Sequence, residues 1–554
     1  MVGAMLAPPT VAHSPDDWWR DAVIYQIYPR SFADGNGDGI GDLPGIISRL
    51  PAIADLGVDA IWLSPFYTSP QKDAGYDVAN YCEVDPVFGS LSDAQELFDT
   101  AHRLGLRIIV DVVPNHSSDQ HEWFQHALAA APGSPERERY MFREGHGEDR
   151  ELPPNNWESV FGGSAWTRVA EADGSPGQWY LHLFDESQPD LNWDNLEVWE
   201  LFRDVLRFWL DRGVDGFRVD VAHGLVKEEG LPDKQHVPHP PLGDDGPFWN
   251  QEGVHAVYRD WRAVLDSYGP GRMMCAEAWV MPLTEMAQYA RRDEMQQAFN
   301  FAYLATSWDA PALREVIDQS LDAFGSIGSP STWVLSNHDV VRHASRLGAT
   351  LPSGVHPTGI GPNSAHKPDE AMGLQKARAA SALMMALPGS AYIYQGEELG
   401  LPEVIEIPDE LRQDPTFFRT QGERYGRDGC RVPLPWEADA PAFGFNSSGE
   451  TWLPQPATFK GLSRSEQIGD PDSTLELYRA MLRVRSEYGL GAGSLVWLEA
   501  YGDGVVAFTN GAVTIIANTS EDAVEMPSGE LLISSALLGN REIPAHTTVW
   551  VMRS

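Results

Sequence analysis

Eight short runs of apolar and β-branched residues recur along this chain of 554 residues, with helical patterns between most of them. Helices are predicted at 43–56, 92–104 and 196–212, and the second opens with Ser92 and Gln95 in the spacing of a capping box. This alternation predicts parallel β/α units, and eight of them fit a closed (β/α)8 TIM barrel better than an open doubly wound sheet. The predicted strands are 22–29, 60–65, 107–113, 216–221, 273–279, 296–303, 332–339 and 391–397.

Two parts of the chain interrupt this alternation. The stretch after the third strand is rich in Pro, Gly, Trp and charged residues and is too long for a bare loop, so it predicts a small inserted domain. Beyond a helix at 474–488 the pattern changes to short β runs, which predicts a C-terminal β-sandwich domain. The loop-like stretch 400–470 is expected to cover the catalytic face. The predicted units are 1–115 and 187–490 for the barrel, 116–186 for the insertion and 491–554 for the C-terminal β domain.

Charge and cysteine content exclude several classes of function. The net charge is −40, from 80 acidic and 40 basic residues, so repulsion from phosphates argues against nucleic-acid binding and favours neutral small-molecule substrates. The three cysteines are odd in number and widely spaced, which fits reduced thiols in a cytoplasm. The N-terminal segment lacks a signal-peptide pattern, and no apolar run approaches the ~20 residues of a membrane span.

Three of the predicted strands carry an acid at or near their C-terminal end, within the segments GFRVDV, MCAEAW and LSNHD. Such barrels gather catalytic groups at the C-terminal ends of their strands, so Asp220, Glu277 and Asp339 are expected to meet. Three acids together indicate chemistry on a sugar acetal: one attacks, one donates a proton and one stabilises the developing charge. Apolar neighbours favour the neutral form of Glu277, which suits a general acid. The structural alternatives are an Arg218–Asp220 pair and a hydrogen-bonded core acid at Glu277.

Polar and aromatic residues crowd the ends of other strands. LSNHDVVRH brings further polar groups next to Asp339, at a density that folding alone does not explain. His116 in DVVPNH can donate a hydrogen bond to a sugar hydroxyl, although a strand-end histidine is also a common structural residue. Tyr76 beside Asp77 in AGYDVANY suits stacking on a pyranose and binding its hydroxyls, the alternative being an ordinary turn.

The segment DGNGDGIGD matches the first half of a calcium-binding loop. The closing glutamate of an EF-hand is absent, because Gly45 occupies the twelfth position. Adjacent acids and glycines require a cation or wide solvation, so a structural divalent cation, Ca²⁺ in first place, is predicted over a plain glycine-rich turn. The predicted ligands are Asp34, Asn36, Asp38, Asp42 and the carbonyl of Ile40.

Five segments, in the order DVVPNH, QPDLNW, GFRVD, AEAW and SNHD, resemble those of the α-amylase family of glycoside hydrolases, in its α-glucosidase and oligo-1,6-glucosidase branch. The resemblance covers nearly the whole chain. It implies that Asp220 is the nucleophile, Glu277 the acid/base and Asp339 the transition-state stabiliser. It also implies a divalent-cation site at the loop 34–42 and no organic cofactor.

The same resemblance implies which residues hold the terminal glucose. They are Asp77, His116, Arg218, His338 and Arg342 for its hydroxyls, and Tyr76, Phe161 and Phe184 for the aromatic walls. Asp77 and Arg342 are expected to form the ion pair that closes the pocket. One position departs from the pattern: His223 stands where members of the branch often carry an asparagine, which affects the aglycone side.

The resulting expectation is a retaining exo-α-glucosidase acting on short α-1,4-linked oligosaccharides such as maltose. The alternatives are an oligo-1,6-glucosidase (isomaltase), or a glucosyltransferase or isomerase that shares the glucosyl-enzyme intermediate. A catalytically inactive interaction module is disfavoured, because the chain has the triad and no membrane anchor. A small oligosaccharide is the expected partner, with no nucleic acid, no membrane, a cytoplasmic location and a monomer or weak homo-oligomer.

Overall fold

The computed structural model describes residues 15–171, 173–235, 246–349 and 359–553. Eight parallel strands lie in the spatial order β6-β5-β4-β3-β2-β1-β8-β7, and a parallel bridge between Phe299 and Thr332 joins the two ends. The predicted (β/α)8 barrel is therefore confirmed. The strands are β1 Val23–Ile27, β2 Ala60–Leu63, β3 Arg107–Val112, β4 Gly216–Val219, β5 Met273–Ala276, β6 Gln297–Ala298, β7 Thr332–Val334 and β8 Ser390–Tyr394.

The longer helices pack apolar faces against this sheet. Their bounds are Leu43–Ala54, Leu91–Arg103, Leu196–Leu210, Val254–Asp266, Ala310–Ser326, Glu370–Met385 and Thr474–Glu487. Shorter helices are Pro29–Phe32, Glu122–Ala129, Leu283–Gln288, Phe301–Ala305, His343–Arg346, Pro415–Arg419, Phe459–Leu462 and Arg464–Gln467. Across the described ranges, no helix has both the length and the apolar character needed to cross a bilayer.

Two local expectations were wrong, each because a polar cap was overlooked. The second helix begins at Leu91, and its capping box joins Ser90 to Asp93 instead of Ser92 to Gln95, since Asp at the third helical position performs the same role as Glu or Gln. The sixth strand ends at Ala298, because the Asn300 side chain accepts a hydrogen bond from the Tyr303 backbone and starts a helix.

A small antiparallel sheet lies in the insertion that follows β3. Its strands are Phe142–Arg143, Pro176–Leu181 and Trp166–Ala170 in spatial order. They have an apolar cluster of their own, in which Trp157 packs 4.9 Å from Phe248, a residue of the stretch that follows β4. The insertion therefore packs against the barrel at the C-terminal ends of β3 and β4.

The C-terminal part is an antiparallel β domain with two unequal layers. Alternate residues of its sheet point to opposite faces, so Ile515 and Trp550 pack towards the barrel while Ile516 and Val549 pack towards the smaller layer. The Trp550 indole donates to the Ala382 carbonyl at 2.9 Å, which attaches the domain to a barrel helix. The larger sheet has the order Leu495–Trp497, Val505–Asn510, Val513–Asn518, Thr547–Met552 and Glu530–Ser534, and Val524–Glu525 pairs with Glu542–Ile543.

Candidate active site

The three predicted catalytic acids line one cavity of about 500 Å³. Asp220 directly follows β4, Glu277 directly follows β5, and Asp339 lies five residues beyond β7. All three positions belong to the C-terminal edge of the barrel, where active sites of this architecture lie. The structure therefore brings together three carboxyl groups that are far apart in sequence.

A fully buried guanidinium lies beneath two of these acids. Arg218 Nη1 is 3.0 Å from Asp111 Oδ1 and also contacts Asp220 Oδ1, while Arg218 Nη2 is 3.7 Å from Glu277 Oε2. Arg218 and Asp220 are two residues apart at the end of β4, so their side chains point to the same side of the strand. One positive charge thus stabilises a cluster of buried carboxyls that would otherwise repel each other.

The environment separates the protonation states of the acids. Burial raises the pKa of Glu277, and Arg218 and the Val221 backbone N–H, which donates to Glu277 Oε2 at 2.7 Å, oppose that rise. Burial also raises the pKa of Asp220, but the guanidinium it contacts favours its carboxylate form. Burial thus raises both pKa values, and the contact geometry separates the two acids: Asp220 touches the guanidinium, as suits a nucleophile, whereas Glu277 lies 3.7 Å from it, as suits a proton donor.

Asp339 is held in the opposite state by three groups. Removal from solvent would raise its pKa, but His338, Arg427 and Arg431 together hold the pKa well below the usual range of an aspartate. Arg427 and Arg431 donate to Asp339 Oδ1 at 3.1 and 3.0 Å. Asp339 therefore stays ionised, as a group that stabilises a developing positive charge must.

Tyr76 lines one wall of the cavity, and the buried His338 ring lies behind it. Their rings are stacked at 5.1 Å with an interplanar angle of 5°, and the Tyr76 hydroxyl donates to Asp111 Oδ2 at 3.0 Å. Burial lowers the pKa of His338 well below its usual value, so the ring is neutral. Gln26 Nε2 donates to His338 Nδ1 at 2.7 Å, which leaves the ring proton on Nε2, 3.2 Å from Asp339.

His116, Phe161 and Phe184 form a second wall, as their predicted roles require. The His116 and Phe184 rings lie 5.1 Å apart, and Phe184 meets Phe161 edge to face at 5.6 Å. Burial lowers the pKa of His116 to about 4, so its ring is neutral near pH 7. Gln188, in the QPDLNW segment, contacts His116 Nε2 at 3.1 Å and holds the ring in place.

Asp77 does not line the cavity, contrary to its predicted role. Its carboxylate is fully buried below the cavity and accepts hydrogen bonds from Ser69 Oγ at 2.9 Å, Lys72 N at 2.9 Å and Asp73 N at 3.0 Å. These contacts occupy the carboxylate in closing a turn. Asp77 is therefore a residue that shapes the backbone beside the cavity.

Arg342 is likewise turned away from the cavity. Its guanidinium donates to the carbonyls of Gln395 and Cys430 at 2.9 and 2.8 Å and lies over the Tyr394 ring. The expected ion pair between Asp77 and Arg342 is absent from the described residues, because each group is already bound elsewhere. Arg342 anchors the segment after β8 to the barrel.

The ion pair that closes the cavity joins Asp73 and Arg427 instead. Arg427 Nη2 is 2.6 Å from Asp73 Oδ1, and its Nε is 2.5 Å from Asp414 Oδ2. The same guanidinium contacts Asp339 and lies 5.0 Å from the Phe161 ring centroid. The sequence carried a partial signal, since Asp73 opens DAGYD four residues before Asp77, but the stretch containing Arg427 has no motif.

Sequence reasoning also missed a residue at the base of the site. Asp111 opens the DVVPNH segment, is fully buried in β3 and accepts from Arg218, Tyr76 and the Trp62 indole, the last at 3.3 Å. An aspartate inside an apolar strand is the signal that could have identified it, because an unpaired charge there is costly.

The aglycone side of the cavity contains the residue that departs from the family pattern. His223 lines the cavity and stacks on Trp249 with ring centroids 4.6 Å apart. Burial lowers the pKa of His223 to about 3, so the ring is neutral. Trp249 also lines the cavity and was not predicted as a site residue.

The glycine-rich loop 34–42 uses its acids to order its own backbone. Asp34 and Asp42 are buried and accept hydrogen bonds from loop N–H groups at 2.6–3.1 Å. Asn36 and Asp38 each accept one further backbone N–H at 2.9 Å and are exposed. Their oxygens suit a hard cation, although no cluster of three or more metal-binding His, Cys, Asp or Glu side chains is formed within the described ranges.

Comparison with known proteins identifies the family. Residues 26–492 match the family described as "Alpha amylase, catalytic domain". The chain belongs to the alpha-amylase family. A curated relative named "Probable alpha-glucosidase" from Rhizobium meliloti (strain 1021) is 39% identical over 543 residues, 93% of this chain and 92% of its own length.

Other members of the alpha-amylase family resemble the chain over most of its length. An "Oligo-1,6-glucosidase" of Halalkalibacterium halodurans is 34% identical over 502 residues, which covers 85% of this chain and 84% of the relative. A crystal structure of an "alpha-glucosyl transfer enzyme, XgtA" superposes with a TM-score of 0.83 at 37% identity and covers 97% of this chain and 99% of the other. These names agree with the hydrolase and transferase alternatives inferred from the sequence.

Glu277→Gln should reduce hydrolysis of natural disaccharides by ~10²–10⁴-fold, because the leaving oxygen then lacks its proton donor. A nitrophenyl glucoside has a good leaving group, so formation of the glycosyl-enzyme from it should suffer much less. Since burial raises the pKa of Glu277, the alkaline limb of kcat/KM should report its deprotonation in the parent enzyme and disappear in the variant. Steady-state and burst kinetics measure both effects, and equal losses on the two substrate types would contradict the assignment.

Asp73→Asn and Arg427→Lys should each raise KM, because the first removes the charge that Arg427 pairs with and the second loses the planar guanidinium that reaches Asp73, Asp339 and Asp414 at once. Since the two side chains touch, their effects should couple by about 1–3 kcal/mol in a double-mutant cycle built from kcat/KM on maltose. Glu499→Gln is the control: its carboxylate pairs with Arg314 at 2.6 Å, outside the cavity, so it should show no coupling with Arg427→Lys. Additive effects for Asp73 and Arg427 would refute the pair as a functional unit.

Proposed function

We propose that the chain is a retaining exo-α-glucosidase that releases glucose from the non-reducing end of short α-linked gluco-oligosaccharides. The observation that carries this proposal is a cavity lined by the three carboxyl groups Asp220, Glu277 and Asp339, with the Asp73–Arg427 ion pair in its wall. A volume of about 500 Å³ lies within the range of small-molecule pockets, roughly 300–1,000 Å³.

The first half of the reaction uses Asp220 and Glu277. Asp220 attacks the anomeric carbon and forms a β-glucosyl-enzyme, while Glu277 gives its proton to the leaving oxygen. Arg218 contacts Asp220 and favours its carboxylate form against the effect of burial. The Val221 N–H holds Glu277 Oε2 in a fixed position beside it.

The second half reverses these roles. Glu277, now a carboxylate, takes a proton from water, and the water oxygen attacks the anomeric carbon and displaces Asp220. In both halves positive charge develops on the sugar ring. Asp339, kept ionised by Arg427 and Arg431, supplies the negative charge that stabilises it.

The aromatic walls and the closing pair support an exo mode of action. Tyr76, Phe161 and Phe184 offer ring faces and edges to the apolar face of a pyranose, as aromatic side chains do in sugar sites. In this proposal the Asp73–Arg427 ion pair in the cavity wall prevents a chain from continuing past the terminal glucose. Long starch is therefore a poor substrate in this proposal.

We propose α-1,4 linkages such as maltose as the preferred substrates and keep α-1,6 linkages as the alternative. His223 replaces the asparagine common in the branch and stacks on Trp249 at the aglycone side, which supports a departure from the α-1,6 pattern. The curated relatives include both "Oligo-1,6-glucosidase" and "Maltase 1" proteins. Transfer of glucose to a sugar acceptor is the second candidate, supported by the similarity to the structure of an "alpha-glucosyl transfer enzyme".

Initial rates on maltose, isomaltose, trehalose, sucrose and maltotriose, together with NMR of the first-formed anomer, test this proposal. We expect maltose to be the fastest disaccharide, α-glucose to appear first, and Asp220→Ala to be folded and inactive. β-Glucose as the first product would refute retention, and rapid release of long maltodextrins from starch would refute the exo mode. Disaccharides other than maltose, formed at high maltose concentration, would favour the transferase alternative.

We propose that a divalent cation, Ca²⁺ before Mg²⁺, binds the loop 34–42 and stabilises the fold. Burial, together with the nearby Asp34 carboxylate, raises the pKa of Asp42, and a cation would relieve that repulsion. Chelation with EDTA should lower the melting temperature and leave the anomeric outcome unchanged. An equal melting temperature with and without chelator, with no metal found by elemental analysis, would remove the proposal.

A cytoplasmic location is proposed as well, because Cys82, Cys275 and Cys430 are free thiols, which a reducing compartment preserves. A monomer or weak homo-oligomer is proposed because the residues of one chain complete the cavity. Light scattering after size-exclusion chromatography measures the oligomeric state.

A further inference from the structure

Two segments from different parts of the chain meet over the cavity. The first, here called the strap, is residues 412–427 after β8; it contributes Thr416, Arg424, Gly426 and Arg427 to the cavity lining. The second, the insertion turn, is residues 159–164, and it contributes Val160 and Phe161. The barrel strands do not join these two segments, so the position of one segment relative to the other depends on the contacts between them.

Two arginines of the strap make those contacts. Arg419 Nε donates to the Gly162 carbonyl at 2.8 Å, and its two other nitrogens lie 3.5 Å from the Ser164 carbonyl and 3.4 Å from Asp185. Arg424 Nη1 donates to the Val160 carbonyl at 3.2 Å. Arg419 and Arg424 are together called the clamp. The clamp binds the backbone carbonyls of Val160, Gly162 and Ser164, which belong to every second residue of the insertion turn.

The insertion turn needs such an external partner. Gly162 and Gly163 have φ values of +106° and +79°, which glycine adopts without steric cost, so the segment folds back sharply. The turn carries Phe161 at its tip, and the Ser159 hydroxyl fixes its base by donating to the Phe184 carbonyl at 2.6 Å. The strap arginines fix the other side, and with it the position of the Phe161 ring.

The strap itself is a well-ordered unit. Asp414 caps the helix Pro415–Arg419 by accepting from Thr416 N at 2.8 Å and also pairs with Arg427. The Arg412 guanidinium lies over the rings of Phe417 and Tyr425, at 5.3 and 4.8 Å from their centroids. A displacement at Arg419 would therefore be transmitted along the strap to Arg427 and so to the Asp73 pair.

We propose that Arg419 and Arg424 are positioning residues that set the substrate length of this enzyme. By tying the strap to the insertion turn, they hold Phe161 and Arg427 against each other and keep the cavity a closed pocket. This inference rests on the proposed exo-α-glucosidase function. Neither arginine touches Asp220, Glu277 or Asp339, so both act on the reaction through the pocket wall.

If the clamp had only a structural role, removing it would lower the melting temperature and change the kinetics of all substrates equally. If the clamp positions the pocket wall, removing it changes the selectivity between short and long substrates. In the Arg419→Ala/Arg424→Ala enzyme, KM for maltose should rise roughly tenfold with kcat within about twofold, because only wall contacts are lost. The kcat/KM ratio of maltohexaose to maltose should rise about tenfold, since the wall no longer excludes longer chains.

Conservative variants separate the two arginines. Arg424 makes one hydrogen bond to the turn, so Arg424→Lys should keep the selectivity of the parent enzyme. Arg419 makes three contacts through its planar guanidinium, which a lysine cannot reproduce. Arg419→Lys should therefore retain the selectivity of the parent enzyme only in part. Arg314→Ala is the matched control, because Arg314 is a partly exposed arginine paired at 2.6 Å with Glu499, outside the cavity.

The outcomes distinguish this inference from the proposed function. An unchanged maltohexaose-to-maltose ratio in the folded double variant overturns the role of the clamp, even if the parent enzyme is an exo-glucosidase. If the double variant does not fold, Arg424→Ala alone, which loses a single bond, must show a raised ratio or the inference falls. A parent enzyme that does not hydrolyse maltose refutes the proposed function instead.

Discussion

The buried Arg218 guanidinium provides the positive charge around which the active-site acids assemble. Burying several carboxylates together costs several kcal/mol for each of them. The positive charge of an arginine, which stays protonated, offsets that cost. The arrangement follows from strand register: Arg218 is paired with Asp111 on β3 and with Cys275 on β5, two residues before Glu277. A one-residue slip of β4 would turn Arg218 out of the barrel and leave three buried acids unpaired.

A second group of charges comes from outside the barrel. Arg427 and Arg431 lie on the long segment after β8, and both pair with Asp339. The barrel therefore supplies the nucleophile and the proton donor, while the covering segment sets the charge of the third acid. This division explains how Glu277 and Asp339, in one cavity, have pKa values shifted in opposite directions: Glu277 is buried with one guanidinium at 3.7 Å, and Asp339 has two guanidinium groups in direct contact.

The sequence predicted those features that follow from periodicity and from strand ends. Alternating strands and helices indicated the barrel, and acids after apolar runs indicated Asp220, Glu277 and Asp339. Contacts between loops were less predictable, because they depend on how non-periodic segments fold back. Asp73 and Asp77 both flank the GY pair, and only the three-dimensional turn shows that Asp77 faces inward to backbone N–H groups. Arg427 lies in a segment without any repeating pattern.

The backbone after the nucleophile links the two halves of the catalytic pair. Val221 has φ of +45°, a left-handed conformation that costs a β-branched residue about 1–3 kcal/mol. That conformation ends β4 and turns the Val221 N–H towards Glu277 Oε2, and the Ala222 N–H then donates to the Glu277 carbonyl at 2.8 Å. An extended Val221 would continue the strand and direct this N–H elsewhere. The strain is therefore offset by two hydrogen bonds that fix the proton donor relative to Asp220, and Val221 itself lines the same cavity.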